Sequence, residues 1–283
     1  MSLALITPIY NRAETFLPTL QSVLEQANQG IENYIVVSDG CEDVIQLRKL
    51  LKLKSNDFCK LIELSENSGT GAAINAGIRS TNSDWICTLD SDDVLAPNAI
   101  KNINLILSKF GQEIDFFYFN VINSLGVISP NPQPEEEITY ASYLKHINLA
   151  IYQQHEKGLV ARRLVYESIN MPEKFAYEDL FHLEMNKRFS GRYFPIPIKI
   201  CDVKQANRLS STKPQINSNT DKLKIQGQAR GFLNVIISQN LSLIIYSPAY
   251  FQVIFKKLII RYIQILIYQI LKLKKLIIDR FKN

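Results

Sequence analysis

Asp90-Ser91-Asp92-Asp93 puts three carboxylates within four residues, directly after the apolar run Trp85–Leu89. Like charges at that spacing repel and lose solvation if buried, so a folded chain tolerates them mainly where a cation or water neutralises them. A run of this make-up reads as a buried strand, and helical spacing resumes after Pro97. The cluster thus falls just past the carboxyl end of a strand, where open α/β sheets bind ligands. Hard carboxylate oxygens suit Mg²⁺ or Mn²⁺, which usually takes one or two carboxylates plus substrate phosphates. An acidic turn in which Asp93 caps the next helix is the competing reading.

Three further segments share that placement. Thr7-Pro8-Ile9-Tyr10-Asn11-Arg12 breaks from a strand into a loop before a helix, whose first backbone amides can face an anion or a nucleobase. Val37-Ser38-Asp39-Gly40 sets a carboxylate after the second strand; Asp39 can accept from a base or ribose, or simply form an Asp-Gly turn. Asn67 to Gly77 (NSGTGAAINAG) is a helix start small enough to lie close on a sheet, with Asn67 and Asn75 available to a ligand. It matches neither GxGxxG nor GxxxxGK[ST], so dinucleotide and ATP readings lose support.

The elements that would carry these loops alternate through the first 120 residues. Strands are predicted at Leu3–Thr7, Tyr34–Val37, Leu61–Leu64, Trp85–Leu89 and Phe116–Val121. Helices fall between them, over Phe16–Ala27, Val44–Leu51, Thr70–Arg79 and Pro97–Ser108. Such alternation predicts an α/β fold with a mostly parallel central sheet and helices on both faces. SPNPQPEEE, residues 129–137, reads as a boundary or flexible loop. Residues 138–192 are helical in spacing, apart from an extended piece near Gly158–Ala161. Ile196 and Ile198 alternate with prolines as in an edge strand, and 207–220 is polar and expected to be mobile.

The chain of 283 residues is 46% hydrophobic and 21% charged, ordinary for a globular protein with a sizeable core. Its net charge of +5 is uneven: beyond Tyr250 eight bases face Asp279 alone, which puts +7 in the tail and leaves the rest at −2. The basicity therefore gives no support to nucleic acid binding by the whole protein. Cys41, Cys59, Cys87 and Cys201 form no CxxC pair, and His146, His155 and His182 no ligand cluster, so a reduced, cytosolic protein without a zinc site is the simplest inference. The histidines read as surface or helix-packing residues. The start, Met1–Tyr10, enters a strand directly, with no secretory leader expected.

The charge-free stretch Phe232–Phe255 is interrupted by Asn234, Ser238, Gln239, Asn240, Ser242 and Pro248, which argues against a membrane span. From Lys257, polar positions Lys257, Arg261, Gln264, Lys272, Lys275 and Asp279 make a narrow stripe on an otherwise apolar helix. Such a helix fits an anionic membrane interface, or packs on its own domain or in a dimer.

Taken together, TPIYNR, VSDG, ENSGTGAAINAGI and LDSDDVLAPNAI resemble, in order and approximate spacing, the motifs of family 2 glycosyltransferases of the GT-A fold. A fifth piece, Gly158–Arg163 followed by Phe175-Ala176-Tyr177-Glu178-Asp179, looks like that family's acceptor segment, so the resemblance covers roughly residues 3–190. It implies a GT-A domain over 1–215, with a nucleotide-sugar half (1–122) and an acceptor half (123–215); residues 216–283 form a separate helical region, for which the basic stripe leaves membrane association and packing on protein as the two readings. It further implies an inverting transferase using a nucleotide-diphosphate sugar, a UDP-sugar first among them, with a glycan or lipid-linked hydroxyl acceptor. By position, Asp39 would contact the base and Asp90 the ribose or sugar. Asp92 would ligate Mg²⁺ or Mn²⁺, with Asp93 behind it or as an alternative ligand. Asp179 would be the general base, with Glu178 beside it. Thr7, Pro8, Tyr10, Asn67, Asn75 and Ser91 would complete the donor pocket.

There are departures. Ile74 stands where many members carry an arginine, which weakens any inference about the base that is read. Gln205-Ala-Asn-Arg208-Leu209 only faintly resembles the Gln-x-x-Arg-Trp of processive synthases, which argues for a non-processive enzyme; Arg208 would still reach the diphosphate. A sugar-nucleotide nucleotidyltransferase is the nearest rival, disfavoured because TPIYNR replaces its glycine-rich basic loop. A non-catalytic nucleotide-sugar-binding scaffold is disfavoured by the Asp90, Asp92 and Asp179 set.

Overall fold

The computed structural model describes residues 1–54, 58–129, 135–150, 157–173, 179–201 and 248–281, with scattered positions between 225 and 245. Among the described residues, ten strands form one sheet. In chain order the elements are β1 (Leu3–Ile9), α1 (Leu17–Leu24), β2 (Asn33–Asp39), α2 (Val44–Lys54), β3 (Cys59–Leu64), α3 (Thr70–Arg79), β4 (Trp85–Thr88), β5 (Asp93–Leu95) and α4 (Ala99–Phe110). There follow β6 (Phe116–Asn123), β7 (Ile128–Ser129), β8 (Glu136–Ile138), α5 (Tyr140–Ala150), β9 (Gly158–Arg162), α6 (Arg163–Ile169), α7 (Asp179–Arg188), β10 (Gly191–Cys201) and the long α8 (Pro248–Phe281).

The sheet order is β3-β2-β1-β4-β9-β6-β10-β5, with β7 on β6 and β8 on β10. Its first half, β3-β2-β1-β4, is parallel throughout, as the alternation requires. Strand β9 then enters antiparallel between β4 and β6, so the two halves of the chain share a single sheet. That insertion makes the second half mixed, which a strand-by-strand reading of periodicity cannot foresee.

Each strand's side chains divide between two cores. Ala4, Ile6, Ile35, Val37, Tyr118 and Ala161 face α3, α5, α6, α7 and the first turns of α8, whereas Leu3, Leu5, Tyr34, Val36, Phe117 and Val160 face α1, α2 and α4. This is the period-two consequence of the pleat, and it places helices on both faces.

The edge character expected around Ile196 holds for the middle of one strand only. Strand β10 pairs with β6 on one side, and on the other with β8 at its start and β5 at its end. Its register shifts fall at Pro197, in the stretch that neither β8 nor β5 covers. Pro195 and Pro197 thus sit where a missing amide costs no bond on the β8 and β5 side. The tail differs from a free helix: Ile254 and Leu258 of α8 are buried in the core, with Phe251 and Ile265 packed against it. Phe255, Ile259, Ile260, Tyr262, Ile263 and Leu266 stay exposed. Among the described residues no helix is long and apolar enough to cross a membrane.

Candidate active site

Because β1, β2 and β4 are parallel, their carboxyl ends open on one rim, and the loops carrying the sequence motifs meet there. At the end of β1, Thr7 and Pro8 are buried, and Thr7 Oγ1 accepts from the Tyr34 hydroxyl at 3.3 Å. Only Tyr10 of that trio is exposed. Asn11 takes a left-handed conformation (φ 50°) while its Oδ1 accepts from Glu42 N at 2.8 Å. The neighbouring Arg12 Nη1 reaches Asp92 Oδ2 at 2.8 Å.

Asp39 ends β2 almost fully buried, its two oxygens accepting from Ser68 N (2.8 Å) and Gly69 N (2.9 Å). It thereby holds the loop bearing Asn67 and sets a negative charge at the start of α3, where the helix dipole favours it. Burial pushes its pKa up, against the two amides that pull it down. Gly40 (φ 65°) lies so close to the backbone of Glu66 and Asn67 that a side chain there would collide with it. The Asp-Gly pair therefore has a packing reason as well as a turn reason.

The acidic tetrad is divided by depth. Asp90 projects at the rim with its side chain 54% exposed, and Lys199 Nζ stands 3.3 Å from its Oδ2. Ser91 is buried, and its carbonyl accepts from Thr19 Oγ1 at 3.0 Å. Asp92 is bound by Arg12. Asp93 opens β5 instead of capping the next helix; it is 2% exposed, with Lys199 Nζ at 2.9 Å and the Cys201 thiol at 3.0 Å from Oδ2. Burial acts to lower the Lys199 pKa, but the carboxylates of Asp90 and Asp93 outweigh it and hold the amine well above its ordinary value. Burial raises that of Asp93. Asp93 is thus placed as an internal anchor, while Asp90 and Asp92 are the carboxylates nearer solvent.

Sequence reasoning passed over the side chains that hold this loop. Thr19, Ser22 and Gln26 on and just beyond α1 bond Ser91 O, Leu95 N, Ala96 O and Ile100 N at 2.9–3.1 Å. Their signal was a three- and four-residue spacing of polar groups along an apolar stripe. Lys199 was visible only as one lysine in the alternating run Ile196–Cys201.

Asn75, expected at the donor, is buried and spent on the chain. Its Nδ2 donates to Met171 O (2.9 Å) and Glu173 Oε1 (3.0 Å), and its Oδ1 accepts from Met171 N (2.9 Å). Gly71 packs so tightly on Pro172 that no side chain fits. These contacts tie the segment leading toward α7 onto α3. Asp179 is the first residue of α7. Glu178 and Arg208, and most of the 129–137 and all of the 207–220 stretches, lie outside the described residues.

A parallel half-sheet with clustered carboxylates on its carboxyl rim, completed by an inserted antiparallel strand, defines a GT-A type of transferase fold. The chain belongs to the family 2 glycosyltransferases: the family model "Glycosyl transferase family 2" matches residues 4–160. It is 32% identical over 124 residues to the succinoglycan biosynthesis protein ExoO of Rhizobium meliloti, covering 44% of this chain and 33% of ExoO. It is 36% identical over 113 residues to the teichoic acid poly(glycerol phosphate) polymerase of Staphylococcus epidermidis, covering 39% of this chain and 15% of the polymerase. The match spans a third or less of these relatives. The structure of S. aureus TarS 1–349 in complex with UDP-GlcNAc superposes with a TM-score of 0.65 at 18% identity, over 89% of this chain and 73% of that one.

Proposed function

We propose that the chain is an inverting, non-processive glycosyltransferase that moves a sugar from a nucleotide-diphosphate donor to a hydroxyl of a glycan or lipid-linked acceptor. The observation that carries this reading is the rim itself, where the half-exposed Asp90 and the Arg12-bound Asp92 stand beside the Asp39-held loop. A UDP-sugar is the first donor to test, since TarS, the fold neighbour, was solved with UDP-GlcNAc. Asp39 would shape the base pocket through the 67–69 loop, with exposed Tyr10 as its other wall, and Asp90 would meet the ribose or sugar.

Among the described residues no group of three or more His, Cys, Asp or Glu is placed to hold a metal. The donor set fits a cation held by one or two carboxylates and otherwise by donor phosphates. Asp92 would hold Mg²⁺ or Mn²⁺ with Asp90 at hand, and when bound the cation would neutralise charge on the departing diphosphate. Asp179 would take the proton of the acceptor hydroxyl as its oxygen bonds the anomeric carbon on the face opposite the departing diphosphate, a displacement that inverts that centre. On α8, exposed Phe255, Ile259, Tyr262, Ile263 and Leu266 recur at helical steps beside Lys256 and form the stripe proposed to lie on the inner, anionic membrane face.

Incubation with a panel of nucleotide sugars, with and without Mn²⁺, tests the reading. Release of nucleoside diphosphate that falls by roughly 10²–10⁴ in Asp179→Asn is expected. Pyrophosphate release, binding without turnover, or an active Asp179→Asn would overturn it.

A further inference from the structure

His182 sits one turn into α7, on the same helical face as Asp179 by its three-residue spacing. Its side chain is half-buried, set against the buried Tyr118 and Phe181. Its ring packs edge-on to Phe181 (5.6 Å) and tilted to Tyr118 (5.9 Å). Its Nδ1 lies 2.9 Å from the Tyr118 hydroxyl. Asn186, a further turn along α7, donates through Nδ2 to the Tyr118 oxygen at 3.0 Å and to the His182 carbonyl at 2.7 Å.

This pattern assigns the hydrogens. The Asn186 amide gives hydrogen to a carbonyl, so the nitrogen side faces the network, and the Tyr118 oxygen accepts from it. With Asn186 and the Tyr143 hydroxyl both donating to the Tyr118 oxygen, the arrangement is satisfied when the phenol's own hydrogen goes to His182 Nδ1. A neutral imidazole accepting at Nδ1 carries its hydrogen on Nε2. Burial drives the ring's pKa down to about 4, with Asp179 opposing and Lys157 reinforcing that shift, so the ring is neutral in the physiological range. The charged groups around it are Asp179 on its own helix, Lys157 at the foot of β9, and Glu136 of β8, which acts on Lys157. Lys157 lies over the rings of Tyr118 (4.7 Å) and Tyr143 of α5 (5.3 Å).

We propose that His182 is the positioning residue of the base: pinned through Nδ1 by Tyr118 and Asn186, it presents Nε2–H to hold the Asp179 carboxylate toward the acceptor hydroxyl. The inference rests on Asp179 being the base. It explains why a polar triad is sunk in the apolar face of α7, where Phe181, Leu183 and Met185 fill the core. Hydrogen-bonded side-chain networks fix the geometry of their members; here both Asn186 Nδ2 bonds are made, while its Oδ1 has no hydrogen-bond partner among the described residues, and orienting partners of functional groups contribute about 10–100-fold.

The test compares His182→Leu with His182→Gln, whose amide nitrogen reaches about as far as Nε2. Both are measured for turnover and donor KM, with thermal melting as the check on folding. Turnover of His182→Leu should fall about 10–100-fold with donor KM within about twofold, while His182→Gln recovers to within a few fold. Imidazole ¹⁵N shifts of the wild type should show the Nε2–H tautomer, a readout independent of turnover. Wild-type turnover in His182→Leu, no recovery in His182→Gln, or the Nδ1–H tautomer would overturn the proposal while leaving Asp179 as base. An active Asp179→Asn would remove the base reading itself, and the proposal with it.

Discussion

Replacing Lys199 by methionine should destabilise the protein far more than a single lysine at the sheet's end suggests. Its ammonium is 2.9 Å from Asp93 Oδ2, with side chains 12% and 2% exposed. Water therefore screens this pair little, unlike the exposed Arg48–Glu63 pair on α2 and β3. Lys199→Met keeps the length of the side chain and removes the charge, leaving the Asp93 carboxylate buried beside the weak Cys201 donor. Breaking a buried pair from one side costs about 3–5 kcal/mol. At about 2–4 °C per kcal/mol for a domain of this size, the melting temperature should drop by roughly 10 °C.

The double variant Lys199→Met/Asp93→Asn removes both charges and should recover more than half of that loss, since an isosteric uncharged pair often costs little. Asp90→Asn, at a carboxylate that is 54% exposed, should cost less than about 1 kcal/mol. Urea unfolding with a common slope, with Asp93→Asn alone as the fifth protein, gives the stabilities and the coupling between positions 93 and 199. If Lys199→Met loses less than about 1 kcal/mol, or the double variant is no more stable than the single, the buried ion pair is not what anchors the tetrad.

Three other outcomes are expected. Asp92→Asn, whose amide oxygen can still accept from Arg12, should fold normally yet lose Mn²⁺-dependent UDP binding by calorimetry and nearly all transfer; wild-type turnover would refute the metal assignment. Serine at Phe255, Ile259 and Ile263 should abolish flotation with anionic vesicles without disturbing buried Ile254 and Leu258, and salt should weaken wild-type flotation as the Debye length falls below about 8 Å. Stability should fall as pH drops from about 6.5 toward 4: the unfolded state takes up the His182 proton near 6.5 and the folded state only near 4. That difference amounts to about 3 kcal/mol, fully present above pH 6.5, and the fall should be absent from the pH titration of His182→Gln.

The rim was legible because its signals are local. Each motif follows an apolar run and precedes a helical stripe, so Asp39, the glycine-rich start of α3 and the tetrad could be put on one edge before any coordinates. Asp93 was misread as a helix cap, and its anchoring went unseen, because depth is not local: its neighbours in sequence are rim residues, while its partners, Lys199 and Cys201, arrive more than a hundred residues later on β10. The partners of Asn75 were hidden for the same reason. An asparagine in a small-residue helix start reads as a ligand contact, until the backbone of Met171 is found to use both ends of its amide. The strand order was hidden too, because period two marks β9 as a strand without saying that it inserts between β4 and β6.

The long-range contacts share one consequence. Asn75 ties α3 to the segment before α7, Lys199 ties β10 to Asp90 and Asp93, and the Tyr118–His182–Asn186 network ties α7 to β6. Each joins the half that carries the rim carboxylates to the half that carries Asp179, and β9 runs between them within the same sheet. A transfer that needs a donor held on one side and a proton acceptor on the other gains from such stiffness, because misplacing reacting groups by about 1 Å can cost around a hundredfold in rate. Apolar replacement of any one tie should therefore depress turnover more than donor affinity, whereas damage at the Asp39-held loop should show first in donor affinity.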